Sequence, residues 1–133
     1  MIRAHPDHSE ADEEAFSRAI DELLACAQAC TTCADACLAE DHVADLVTCV
    51  RLNLGCADLC TAAARFFSRR FDLGAADSLL EACIAACQTC ADECAVHASN
   101  HEHCRVCAEA CRRCAAACSQ LRTALEKTGS TIA

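Results

Sequence analysis

The sequence predicts an all-α protein, an antiparallel up-down-up-down four-helix bundle with a cysteine-lined core. Three observations carry this. Sixteen of the 133 residues are cysteine, and they fall into four clusters: Cys26, Cys30, Cys33, Cys37; then Cys49, Cys56, Cys60; then Cys83, Cys87, Cys90, Cys94; then Cys104, Cys107, Cys111, Cys114, Cys118. Nearly every step is three or four residues, the spacing of one helix face, whereas a strand needs a period of two. The residues between are mostly Ala, Gln, Glu, Asp, Leu and Arg, mostly good helix formers, and three Gly with one Pro leave too little turn material for a sheet protein. Short connections between the clusters favour antiparallel neighbours.

The elements follow in order from local signals. Helix 1 is expected after Ser9, where the acidic first turn of Glu10, Asp12 and Glu13 suits the positive end of the macrodipole, and to run to about Glu40. Asp41 is the expected cap of helix 2, which continues to about Arg70. Asp72, Leu73 and Gly74 interrupt the pattern before helix 3, for which Ser78 and Glu81 offer a capping box. Helix 3 should end near His97. Ser99 and Glu102 form a second capping box for helix 4, which is expected to reach about Lys127 and stop at Gly129. Residues 1–133 read as one domain, with a flexible N-terminus over 1–9, the bundle over 10–127 and a C-terminal tail over 128–133. The two hairpins, 26–60 and 83–118, read as a loose internal duplication.

Extending each stripe at helical spacing shows what lies at its ends. Leu23, Ile20 and Phe16 precede Cys26; Ala63 and Phe67 follow Cys60; Leu80 and Ala76 precede Cys83; Leu121 and Leu125 follow Cys118. In an antiparallel bundle these apolar extensions meet at one end, joined by Phe66 and Phe71, as a plug of ordinary core. The other end receives His42, His97, His101 and His103, a polar mouth. Cys26 and Cys118 border the plug and are the cysteines most readily explained by packing alone. Asp58, Asp92, Glu93 and Glu109 fall on the solvated faces. Gly55, costly inside a helix, points to close helix approach or to mere tolerance.

Charge and composition exclude several classes. A net charge of −9 and a pI near 5.0 oppose binding to phosphates, so nucleic acid is not an expected partner. No apolar run of about 20 residues is seen, so no membrane association is expected. The start MIRAHPDHSE has neither a signal-peptide pattern nor a twin arginine, which gives a cytoplasmic reading. In that reducing compartment cysteine density points to metal or redox chemistry rather than structural disulfides. Cβ atoms three or four residues apart on a helix are about 5–6 Å apart, too far for an unstrained disulfide but suited to thiolates that bridge a metal ion.

The metal follows from charge. Replacing each thiol proton by Cu(I) leaves the core charge unchanged, whereas four-coordinate Zn(II) sites on all the thiolates would leave a net charge of about −8 inside, with no cation on the stripes to offset it. Soft thiolates select Cu(I), which accepts two or three sulfur ligands and so tolerates irregular spacing. All sixteen cysteines are therefore candidate ligands of several Cu(I) ions per chain, together with His97, three residues past Cys94, His101, three before Cys104, and His103, beside Cys104 but off the stripe. His5 and His8 read as solvated.

The repeated C-x-x-x-C of Cys26 to Cys30, Cys33 to Cys37, Cys56 to Cys60, Cys83 to Cys87 and Cys107 to Cys111, set on four helices, resembles the bacterial copper storage proteins of the cytosolic type. The resemblance spans roughly residues 10 to 127. It implies a multi-copper Cu(I) store, thiolate ligation inside the bundle, histidines near the open end, and a homo-oligomer, often a tetramer. Copper donors and acceptors are the implied partners. Two positions depart from the stripe: Leu46 stands before Cys49, and Asn53 between Cys49 and Cys56.

Other chemistries fit less well. A di-iron oxidase needs two Glu-x-x-His motifs, and the sequence has none. Iron–sulfur cysteines usually sit on loops, and a thiol enzyme would leave fifteen cysteines unexplained. The chain is not expected to be an enzyme. The alternative of a different kind is a zinc- or redox-responsive thiol buffering or regulatory module.

Overall fold

The computed structural model describes residues 1–7, 10–70 and 73–128. A short 3-10 turn, Ile2–Ala4, leads to α1 (Glu10–Leu38); a second, Val43–Leu46, leads to α2 (Val47–Phe67); α3 (Ala76–His97) and α4 (Glu102–Thr128) follow. Among the described residues there is no strand. Helix α1 packs on α2 and α4, and α3 packs on the same two, so that α1 faces α3 across the core and α2 faces α4. The four-helix fold expected from the cysteine period is the fold observed.

The ends of the helices differ from expectation, for identifiable reasons. Asp41 does not cap α2. The chain leaves α1 through tightened turns, with Ala39 N–H on the Ala36 carbonyl at 3.1 Å and Glu40 N–H on that of Cys37 at 3.2 Å. It then makes the Val43–Leu46 turn, and α2 starts after Leu46 with no side-chain cap. Helix α2 ends at Phe67 rather than Arg70, because Ser68 Oγ bonds back to the Ala64 carbonyl at 2.7 Å and satisfies a terminal acceptor. Ser78 and Glu81 lie inside α3, which begins two residues earlier than Ser78, so that capping box is not used. Asp77 in the first turn of α3 is instead clamped by Arg122 of α4, at 2.6 and 3.1 Å. The Ser99–Glu102 box is also unformed: His101 supplies the carbonyl that accepts from Cys104 N–H at 3.0 Å, while Glu102 pairs with Arg105. Ser9, His8, Phe71, Asp72 and Gly129 lie outside the described residues.

The plug is built as the stripes imply. Phe16, Leu23, Ala63, Phe67, Ala76, Leu80, Leu121 and Leu125 are all fully buried, with Ile20 and Phe66 packed against them. Phe67 meets Phe16 edge-on at a centroid distance of 6.2 Å and Phe66 at 5.1 Å. Asp12, one of the acids of the first turn, is only 1% exposed. It accepts from Arg70 Nη2 at 3.4 Å, and that guanidinium lies 4.0 Å above the Phe16 ring. A side chain on Gly55 would meet nothing within 4 Å, so this glycine does not serve close helix approach.

The segment Val43–Phe67 is long and apolar enough to satisfy the length and composition of a membrane span, contrary to the reading from the sequence that no run approaches it. Its buried face, Cys49, Val50, Asn53, Cys56, Cys60 and Phe67, points into the bundle.

Candidate metal centre

All sixteen cysteines are free thiols and all are buried, as one face of each helix turned to a shared axis requires. Lateral packing brings the four stripes together. Cys26 Sγ lies 3.9 Å from the sulfurs of Cys30, Cys56 and Cys87 and 3.7 Å from that of Cys111. Cys30 is 3.6 Å from Cys111, 3.7 Å from Cys107 and 3.9 Å from Cys90. Cys60 reaches Cys87 at 3.8 Å and Cys114 at 4.0 Å. Cys26, a candidate ligand at the border of the plug, is thus at the centre of the deep network. The Cys83 thiol reaches the Leu59 carbonyl at 3.8 Å.

Several sets of donor atoms lie within 4.8 Å of one another: Cys26, Cys30, Cys56 and Cys111; Cys26, Cys56, Cys60 and Cys87; Cys30, Cys90, Cys107 and Cys111; Cys33, Cys94 and Cys107. Successive sets share sulfurs, so neighbouring ions would be bridged through common thiolates. With a sulfur to metal bond of about 2.3 Å, two sulfurs 3.6–4.0 Å apart fit one ion after small rotamer changes.

Nearer the mouth, Cys33, Cys37, Cys104 and His103 form a further set. His103 Nδ1 is 3.4 Å from Cys33 Sγ and 3.6 Å from Cys104 Sγ. Although one residue off the stripe, His103 is the histidine that the fold turns onto the sulfurs. His101 pairs with Glu40 and sits with its ring 5.5 Å from that of His103. His97 bonds Glu93 Oε2 of its own helix at 2.8 Å. His42, His97 and His101 border a pocket of about 360 Å³ with Glu40, Asp41 and Asp45.

Asn53 joins the two networks. Its Oδ1 accepts from Cys90 at 3.0 Å, Cys107 at 3.2 Å and Cys94 at 3.6 Å, and its Nδ2 donates to Cys49 Sγ at 3.6 Å. From sequence this residue was only a gap in the stripe. A fully buried amide must find partners, and a residue at a cysteine register can find only thiols. Glu40 was also missed, although it lies three residues past Cys37 and so continues the α1 stripe to the mouth.

The electrostatics divide the cluster between thiols that hold their protons and thiols that give them up. Burial pushes Cys83 up to about 11 and Cys37 also to about 11, and it raises Cys104. Cys26, Cys33 and Cys56 are lowered by hydrogen bonds from surrounding thiols, chiefly Cys111, Cys107 and Cys111 respectively. Their neighbours Cys30, Cys49 and Cys87 are raised, because a thiol beside a thiolate keeps its proton as donor. Burial pulls His103 down, yet hydrogen bonds to Cys33 and Glu40 outweigh it and leave it raised. Glu40 is lowered, mainly by the hydrogen bond from His103.

Comparison with known proteins points one way. A family model described as copper storage protein matches residues 12–123. The structure of the copper storage protein Ccsp from Streptomyces lividans, loaded with 10 copper equivalents, is 52% identical and superposes with a TM-score of 0.89 over 93% of this chain and 96% of that one. A five-copper form described as a cytosolic copper storage protein from the same organism is 54% identical, with a TM-score of 0.84 over 86% and 98%. A Ccsp variant with two histidines replaced by alanine is 53% identical, with a TM-score of 0.83 over 86% and 98%. No curated protein matches the chain by sequence.

Proposed function

The chain belongs to the copper storage protein family, and from that premise we propose that it sequesters several Cu(I) ions at once, in the cytosol, on the thiolates of its bundle core. The observation that carries the reading is the continuous set of shared four-sulfur groups. Discrete sites would need separated ligand sets, whereas sulfurs common to adjacent groups suit a thiolate-bridged store. All sixteen cysteines are the proposed ligands. His103 is proposed as the nitrogen ligand at the mouth, with His97 and His101 as outer, transient ones. An imidazole holds Cu(I) less tightly than a thiolate does, so the histidines govern rate more than capacity.

Sequestration behind thiolates is a binding function, and no catalytic turnover is proposed. Exposed apolar residues on the outer faces, including Leu24, Leu54 and Val106, support assembly into a homo-oligomer, with a tetramer as the specific proposal. Copper arrives from and leaves to separate donors and acceptors through the histidine end, since the other end is filled by the plug.

The test is anaerobic titration of the reduced protein with Cu(I) in competition with a chelator, repeated with Zn(II). The expected result is tight uptake of about one Cu(I) per thiol with little displacement by Zn(II). Saturation near four ions with effective Zn(II) competition would reject the store in favour of the zinc or redox module.

A further inference from the structure

One seam of the bundle is left partly open. Of the neighbouring helix pairs, α2 and α3 are in the least contact, and between them runs a groove of about 330 Å³. Its walls carry small side chains, Ala85 and Ala86 on α3 and Gly55 on α2. Glycine weakens a helix interior, and Gly55 does not serve close approach, since a Cβ there would meet nothing within 4 Å. What the glycine does is leave the groove empty.

The floor of the groove is Cys56, itself only 1% exposed. Cys56 belongs to two of the shared four-sulfur sets, with its Sγ 3.7 Å from Cys87 and 3.9 Å from both Cys26 and Cys60. The groove therefore abuts the deep sulfurs directly, away from the histidine end. On its rim stands Arg51, exposed and without an acidic partner among the described residues. In a chain of net charge −9, an unpaired guanidinium beside an apolar groove is a place for an anion's carboxylate.

Resting on the copper storage reading, we infer that the α2–α3 groove seats a small carboxylate-bearing thiol in complex with Cu(I), its carboxylate on Arg51 and its metal turned to Cys56. This gives the deep sulfurs an entrance separate from the histidine end. A thiol fits because a soft cargo is carried and exchanged between soft ligands. Charge favours the groove too: a Cu(I) bis-thiolate is an anion, which Arg51 attracts and the Glu40, Asp41 and Asp45 carboxylates of the mouth pocket repel.

The exchange balances without redox change. A change of the Cys56 χ1 rotamer presents its sulfur to the groove. The sulfur bonds to Cu(I), one carrier thiolate leaves, and the Cys56 proton goes to that leaving thiolate. The second carrier thiolate departs with a proton from solvent as Cys26, Cys60 or Cys87 takes its place as ligand. One Cu(I) has then replaced one proton of the core, and two carrier thiols are released.

The experiment uses the full reduced chain with Gly55→Leu, Gly55→Ala and Arg51→Ala. The open space at Gly55 accepts either side chain, and both residues favour helix, so folding is kept. Stopped-flow absorption follows Cu(I) uptake from three anaerobic donors: the cysteine complex, the cysteamine complex, which lacks the carboxylate, and bathocuproine disulfonate, a rigid chelator too large for the groove. The wild type is expected to show a rate that saturates with the cysteine complex. Gly55→Leu loses that saturable phase and Gly55→Ala keeps part of it, while uptake from the chelator and the final copper count are unchanged. Arg51→Ala raises the half-saturation for the cysteine complex about two- to fivefold, as for an exposed ion pair, and leaves cysteamine unaffected. Uptake from the cysteine complex by Gly55→Leu at the wild-type rate, equal slowing from cysteine and chelator, or an unchanged half-saturation in Arg51→Ala overturns the inference. Failure of the storage reading shows up separately, as a wild type that takes up Cu(I) from no donor. Amide resonances of Gly55, Ala85 and Ala86 on adding metal-free cysteine then still decide: shifts support the thiol seat, and their absence overturns it.

Discussion

Phe67→Ala separates the part of the bundle that folds the chain from the part that holds metal. Phe67 is fully buried and packs edge-on against both Phe16 and Phe66. Truncating a buried Phe to Ala costs about 3–5 kcal/mol in transfer and cavity terms, and the two aromatic pairs place this site at the upper part of that range. For a chain of this length the loss corresponds to a Tm lower by roughly 10–20 °C. Thermal unfolding of the reduced, metal-free protein by far-UV circular dichroism measures it, and Cu(I) titration of the same variant at low temperature should give the wild-type ion count. The plug is ordinary core, and the sulfurs are a separate compartment. A variant that keeps the wild-type Tm but loses copper capacity would refute it, as would a wild-type metal-free chain that is a random coil.

Two further outcomes follow. Because burial holds the Cys83 proton in the folded state up to about 11 from an ordinary 9.0, its contribution is complete below about pH 9 and vanishes as pH rises through 11; this one group is worth about 2–3 kcal/mol. Between pH 9 and about 10.5 the urea midpoint of the metal-free wild type should therefore fall relative to that of Cys83→Ala, and a constant difference would contradict the assignment. Asn53→Leu removes the acceptor shared by the Cys90, Cys94 and Cys107 thiols, which have other sulfurs nearby, so a loss of about 1 kcal/mol is expected. A clear gain in stability by the same denaturation assay would mean that the amide's desolvation outweighs its bonds.

Much of this molecule is legible in one dimension because a single residue type marks a single face. Cysteine at steps of three and four announces helix, stripe and chemistry together, and the apolar continuations of the stripe name the plug residue by residue. Ends of helices were less legible. Asp41, Ser78 and Ser99 all satisfy local capping rules, yet other contacts are the ones made: Arg122 of α4 takes Asp77, and the backbone carbonyl of His101 accepts at the start of α4. Contacts between residues far apart in sequence were invisible for a different reason. Nothing in Asp12 or Arg70 alone announces that they meet, with Arg70 over the Phe16 ring, and nothing in Glu40 announces two histidines some 60 residues away. Asn53 was visible as a departure but not as a junction, since its role depends on which thiols two other helices bring to it.

The spacing of the sulfurs also bears on fault tolerance. Cys26 stands within 3.9 Å of thiols from all four helices, its own included, and Cys30 and Cys60 likewise touch sulfurs on more than one neighbour. Such a lattice has loops in it, so deleting one node leaves its neighbours still connected to one another by other routes. Damage to a single thiol, by oxidation or by mutation, lowers the inventory by about one ligand without cutting the inner sites off from the mouth. A linear channel of single sites would be blocked by the same loss.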